Sequence, residues 1–372
     1  MWEGAGGVRS GRGESLHSEG RKLARKRMRA CLRELTAILA TGLLLAPAAP
    51  GSLSAQIGPV ISGGAQVGEV VVTAPFLHAA VGPDEVDRAQ LLRDVQVLAH
   101  DSMEGRQTGT PGNERARRYL LERFEEIGLL PFGDSYEHSF PVEGPGGAAL
   151  EGVNVVGRVD GSGSGDHVLV VTAHYDHLGV RNGEIYNGAD DNASGTAGLL
   201  ALARRFVEHP PEHTIVFAAM DAEEMGLQGA RAFISDPPVD VEHIELNVNM
   251  DMVSRSEAGE LYAAGTYHYP SLGELLDEVE PAGGLELLRG HDRPDLPPGE
   301  DWTMASDHAA FHEEGIPFLY FGVEDHPGYH DPSDAFEDIT PDFFVDAVTT
   351  VLRFTQLADA RLGDVAERAP AP

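Results

Sequence analysis

Cysteine is almost absent: Cys31 is the one cysteine in 372 residues. It precedes the apolar run Leu35–Ala46, so the chain beyond that run has no disulfide, no thiolate nucleophile and no thiolate-bound metal. A lipidated cysteine would follow such a run, so lipid anchoring gains no support either. Lysine is nearly as scarce. None occurs after Lys26, and nine of the 27 basic residues lie before residue 34. Against them stand 60 acidic residues, a net charge of −33. That balance disfavours nucleic acid and anionic membrane as partners, because both carry the same sign. A long apolar span is missing too. The run "LTAILATGLLLA" is well short of the about 20 residues a transmembrane helix needs. Internal repeats are also lacking.

That run is nevertheless informative. It follows the basic stretch "RKLARKRMR" (21–29) and leads into "PAAPGSLSAQ". A positive start, a short apolar core and small residues afterwards read as a secretory signal, with cleavage after Ala55. The rival reading is a basic N-terminal membrane anchor. Met28 is an alternative start. On the first reading residues 1–55 are a signal and its upstream extension. The rest is secreted or periplasmic, with no stable membrane association after cleavage. Residues 56–83, rich in Gly, Val and Ala with prolines at 59, 75 and 83, read as a loosely docked arm.

From residue 84 to about 360 the pattern is regular, and residues 361–372 form a tail. "NERARRYLLERFEEIG" places Ala116, Leu120, Phe124 and Ile127 on one helical face, with Asn113 as cap and Gly128 as stop. "NVVGRV" and "HVLVVTAH" are strands, and "TIVFAAMD" is a strand buried on both sides. Helices are expected over "TAGLLALARRF", near 224–234, over "LGELLDEV", over "DHAAFHEEG" and at the C-terminus. Further strands are "HIELNVNMD", "ELYAAG" and "IPFLYFGV". Alternating strands and helices with no linker indicate one α/β domain with helices on both faces of a sheet.

In such folds reactive groups collect at the carboxyl ends of strands. "VLVVTAHYD" delivers His174 and Asp176 there, "TIVFAAMDAEE" delivers Glu223 and Glu224, and "LNVNMDM" delivers Asp251. "FLYFGVEDHPGYHD" delivers His326, Tyr329, His330 and Asp331, and the loop "GADDNASG" brings Asp190 and Asp191. Alone, each has an ordinary reading: a surface histidine, a turn, or a solvated first helical turn. Together they make a His and carboxylate set large enough for two divalent ions, and imidazole with carboxylate suits zinc. If Glu224 is a ligand, its neighbour Glu223 points elsewhere and can take a proton from an activated water. Asp176, two residues after His174, is placed to hold that ring's other nitrogen. His177, His308, His312 and His326 read as ordinary structural histidines.

The chain here resembles the family M28 metallopeptidases, di-zinc aminopeptidases. The segments "AHYDHLG", "NGADDNASGTAGLL", "DAEEMGLQGARAF", "NMDM", "SDHAAF" and "YHDPSD" occur in that family's order over residues 85–357. The resemblance implies a single three-layer domain whose mixed, mainly parallel sheet lies between helix layers. It implies two zinc ions: His174 and Asp251 on one, Glu224 and His330 on the other, and Asp190 bridging both. Glu223 becomes the general base, Tyr329 an oxyanion donor, and Asp307 a supporting residue. Peptides are the implied substrates. Rivals are a carboxypeptidase or glutaminyl cyclase on the same scaffold, or a non-catalytic binding module; retention of the whole ligand set argues against the last. Arg106, in "EGRQTGTPG", has no role beyond fixing a loop.

Overall fold

The computed structural model describes residues 85–297 and 299–365; the expected signal segment and arm lie outside them. Nine strands form the main sheet: β1 (Leu130–Pro131), β2 (Glu137–Gly144), β3 (Ala148–Val159), β4 (Val168–His174), β7 (Thr214–Met220), β8 (Ile244–Met250), β9 (Glu260–Ala264), β10 (Glu286–Arg289) and β11 (Phe318–Gly322). The short strands β5 (Gly179–Arg181) and β6 (Glu184–Tyr186) pair only with each other. The spatial order is β1-β3-β7-β4-β8-β11-β9-β10, with β2 also on β3. The four central strands β7, β4, β8 and β11 are mutually parallel. Antiparallel pairing is confined to the flanks, where β3 meets β7 and β11 meets β9. The sheet is therefore mixed, with a parallel centre.

Side-chain alternation explains the layering. Leu169, Val171, Ala173, Ile215, Phe217 and Ala219 enter one core, while Val168, Val170, Val216, Ala218 and Met220 enter another. The first core is covered by α1 (Arg88–Leu98), α2 (Pro111–Ile127), α3 (Gly195–Glu208), α5 (Pro270–Leu276) and α7 (Pro341–Ala360), through residues such as Leu91, Phe124, Leu202, Leu272 and Val351. The second is covered by α4 (Gln228–Ser235) and α6 (His308–Glu313), through Phe233 and Phe311. The sheet thus has helices on both faces. Leu362, expected in the C-terminal tail, is buried in the first core and belongs to the domain.

Two element starts differ from the sequence expectation. Helix α2 begins at Pro111 with Thr110 as cap, its side chain accepting from the Asn113 N–H. Proline's fixed φ suits a first helical turn, so the helix starts ahead of Asn113. Asn113 is instead buried, donating to the Arg106 carbonyl and to Asp221. Helix α4 begins at Gln228 rather than near 224. Ala222 and Leu227 have φ of 57° and 60°, which no α-helix permits, so residues 222–227 form a turn. The stretch 133–153 folds mainly into the β2–β3 hairpin.

The parallel centre decides where chemistry can occur. Strand β4 ends at His174, β7 at Met220, β8 at Met250 and β11 at Gly322, all at one edge. The segments just beyond carry the acidic and histidine residues.

Candidate metal centre

His174 closes β4 and is buried, with Nε2 3.3 Å from Asp251 Oδ1 and 3.4 Å from Asp191 Oδ1. Its Nδ1 faces Asp176, 3.2 Å from the backbone carbonyl and 3.7 Å from the carboxylate. The Asp176 carboxylate is chiefly occupied elsewhere: it accepts from the N–H of Glu223 at 3.0 Å and of Glu224 at 3.4 Å. Asp176 thus ties the first strand end to the second and fixes the turn that carries both glutamates. That turn splits them. Glu223 groups with His174 and Asp251, whereas Glu224 groups with Asp191 and His177.

The loop between β6 and α3 corrects the expected bridge. Asp190 does not reach the other ligands. Its Oδ1 accepts from the Ser254 N–H and hydroxyl, each at 2.7 Å, and its Oδ2 lies 3.0 Å from His326 Nε2. Asp191 takes the central place instead. One of its oxygens faces His174, and the other lies 3.1 Å from His330 Nε2. Asp334 clamps this choice by accepting from the N–H groups of both Asp190 and Asp191, at 2.9 and 3.0 Å. The Asp191–Asn192 peptide is cis. Asn192 holds the far side of the loop through Gly195 N–H and the Met250 carbonyl.

His330 Nε2 is also 3.5 Å from Glu224 Oε1. His177, which reads as ordinary from sequence, has Nδ1 2.8 Å from the same oxygen and 3.7 Å from Asp191 Oδ2. Its ring packs against Gly188, where φ is 55° and a Cβ would stand 2.5 Å from the ring. Glycine is therefore required there on both counts. Tyr329 stacks on the His330 ring at 3.9 Å. Burial and the nearby Asp191 and Asp251 charges raise its phenol above the ordinary range, so it keeps its proton and can donate.

Negative charge dominates. Asp307 is fully buried, neither carboxylate oxygen has a partner, and burial pushes it up to about 8. Burial likewise raises Asp334 to about 6, with Asp190 adding to the effect. Burial raises Asp221 to about 6, with Asp176 assisting. His330 is moved up to about 10: burial opposes this, but Asp191 and Glu224 outweigh it. Arg106 supplies a buried fixed cation nearby. It donates to the carbonyls of Leu98, Tyr175, Asn187 and Gly188 and so pins both loops of the site. Burial pulls it down to about 10, still charged at neutral pH.

These residues fit zinc. Imidazole and carboxylate donors converge in two groups joined by Asp191. Glu224 Oε1 and both nitrogens of His177 are buried and lack a hydrogen-bond partner, a costly state that a cation would relieve at Glu224 Oε1 and at His177 Nδ1, the nitrogen that faces it. Both groups open on a cavity of about 450 Å³, whose walls include Met252, Trp302, Tyr320 and Tyr329. Trp302, in the loop between β10 and α6, was not among the residues expected at the site. Asp334, Asn192 and Ser254 escape a sequence reading because nothing but the fold brings them to the loop. "DD" in "GADDNASG" was the one signal for Asp191.

The model of the family described as "Peptidase family M28" matches residues 154–355, more than half of the chain. Aminopeptidase YwaD of Bacillus subtilis is 32% identical over 187 residues, which cover 46% of this chain and 37% of that protein. The match thus spans little more than a third of that relative's length. Among solved structures, BSAP, a zinc aminopeptidase from Bacillus subtilis, superposes with a TM-score of 0.58 at 18% identity, covering 76% of this chain and 98% of that one. A glutaminyl cyclase from Bacteroides thetaiotaomicron superposes at 0.59 with 18% identity, covering 73% and 97%. These structural likenesses concern the fold.

Proposed function

Since the chain belongs to peptidase family M28, we propose that it is a zinc aminopeptidase, releasing N-terminal residues from peptides with Glu223 as general base. The observation that carries this reading is the double-sided carboxylate of Asp191, with one oxygen toward His174 and the other toward His330. One ion would be held by His174, Asp251 and Asp191, the second by Glu224, His330 and Asp191. What bound zinc supplies is a water acidified to a pKa of about 7 and a polarised carbonyl.

The chain's own groups do the rest. Glu223 is buried beside His174 and Asp251, and burial raises its carboxyl well above the usual range. A base of raised pKa takes a proton from the attacking water as oxygen bonds to the scissile carbon. It returns that proton to the amine nitrogen as the C–N bond breaks. The phenol of Tyr329 donates to the oxyanion formed between those steps. The substrate's free ammonium is matched to the carboxylates lining the cavity. Export is part of the same reading and rests on the basic stretch and apolar run near the N-terminus.

Hydrolysis of aminoacyl-anilides, measured with and without a chelator, tests the activity. Cyclisation of N-terminal glutamine and release of C-terminal residues are run in parallel. A rate that survives full zinc removal, or turnover confined to either parallel substrate, would refute the aminopeptidase reading. The two glutamates separate by role. Glu223→Gln is expected to keep its zinc and lose about 10²–10⁴-fold in turnover. Glu224→Gln is expected to lose activity together with metal. Metal analysis of both variants decides, and the reverse pattern would swap the assignments.

A further inference from the structure

We infer that His177 is a metal ligand, the fourth protein donor to the ion shared by Asp191, Glu224 and His330. This rests on the di-zinc reading above and adds a residue to it.

His177, Asp191 and Glu224 form one donor group, with His177 Nδ1 facing Asp191 Oδ2 and Glu224 Oε1, and His330 Nε2 adjoins the same two carboxylate oxygens. Zinc bonds to nitrogen and oxygen are about 2.0–2.1 Å, which sets donors at the corners of a tetrahedron about 3.3 Å apart. The separations are 2.8 Å from His177 to Glu224, 3.7 Å from His177 to Asp191, 3.1 Å from His330 to Asp191 and 3.5 Å from His330 to Glu224. They straddle the tetrahedral value. The alternative role is a hydrogen bond holding Glu224 in place. The distance allows one, but the ring N–H does not aim at the oxygen, and neither ring nitrogen has a partner. His177 is wholly buried, so water cannot satisfy it. A histidine wedged against Gly188, with its Nδ1 turned into a carboxylate pair, is placed as a ligand is.

The consequence is an asymmetric pair. Four protein donors close a tetrahedral zinc site, and closed sites are structural, whereas a catalytic site keeps one position open. The other ion would have three protein donors, His174, Asp251 and the shared Asp191, with Glu223 beside the same group. The ion near His177 then binds tightly and holds the loops, and the ion near His174 exchanges more readily.

Zinc X-ray absorption on the fully loaded full chain counts imidazoles directly. Three imidazoles shared by two ions is the expected result. Two would overturn the proposal whatever the variants do, leaving His177 as a positioning residue for Glu224. His177→Ala is expected to lose the slowly exchanging phase of zinc release to a chelator that wild type shows for its four-donor ion. An unchanged slow phase would also overturn it. If His177→Ala does not fold, the absorption measurement on wild type decides alone. Should Glu224→Gln and His330→Ala keep both ions as well, the di-zinc reading itself fails. Should those two lose an ion and His177→Ala keep the slow phase, only the present inference fails.

Discussion

Asp190 and Asp191 are chemically identical neighbours with opposite surroundings. Asp190 has its oxygens engaged by Ser254 and His326, while Asp191 faces three histidines. Replacing each with Asn removes one charge and little volume, so the pair isolates position from chemistry. Asp191→Asn is expected to weaken both metal sites at once, since its two oxygens serve both. Asp190→Asn is expected to retain metal and to lose roughly 1–3 kcal/mol of stability from the disrupted hydrogen bonds to Ser254 and His326. Zinc content and thermal unfolding of the two variants check this. Metal loss in the Asp190 variant with full retention in the Asp191 variant would restore the assignment first read from the sequence.

Among the elements, the central strands supply the site and the loops beyond them need holding. Arg106 does much of that from outside the sheet, reaching four carbonyls on three segments. Its own backbone sits at φ 52°, and the preceding Gly105 could carry no Cβ without meeting the Tyr186 carbonyl at 2.3 Å. Arg106→Met keeps much of the apolar stem but leaves four carbonyls without their donor. The cost expected is at least about 3 kcal/mol, since each hydrogen bond to a charged donor contributes about 1.5–3 kcal/mol. Chemical denaturation measures it. A loss under about 1 kcal/mol would show that water replaces the guanidinium and that the loops stand by themselves.

For the molecule as a whole, acid sensitivity has an identifiable contributor that is not itself a candidate metal ligand. His308 is fully buried beneath Phe318 and Tyr320, with Nε2 on the Trp302 carbonyl. Burial pushes it down to about 3, against 6.5 for an exposed ring. Above pH 6.5 the ring is neutral in both folded and unfolded chains and adds no pH dependence. Below that the unfolded chain binds a proton that the folded chain refuses, so stability falls as pH drops towards 3. The slope from one such group is at most about 1.4 kcal/mol per pH unit. His308→Gln is expected to flatten the stability profile between pH 6 and 4 by about that slope, whatever its effect at pH 7. Parallel profiles for wild type and variant would mean the ring titrates normally in the fold.

Much of this was legible in the chain before folding. Period-two apolar runs with both phases buried required helices on both sides of a sheet, and strand ends carrying His174, Glu223, Glu224, Asp251 and His330 marked one rim. Those are local properties, because alternation and strand termination depend on neighbours in sequence. What the tertiary structure decided is which of two adjacent aspartates faces inward, and that His177 joins them. Both depend on partners far along the chain: Asp334 and Ser254 orient the 190–191 pair from 144 and 64 residues away. No local pattern encodes such partners, since side-chain direction in an irregular loop is fixed by whatever hydrogen-bond donors and acceptors the fold brings against it.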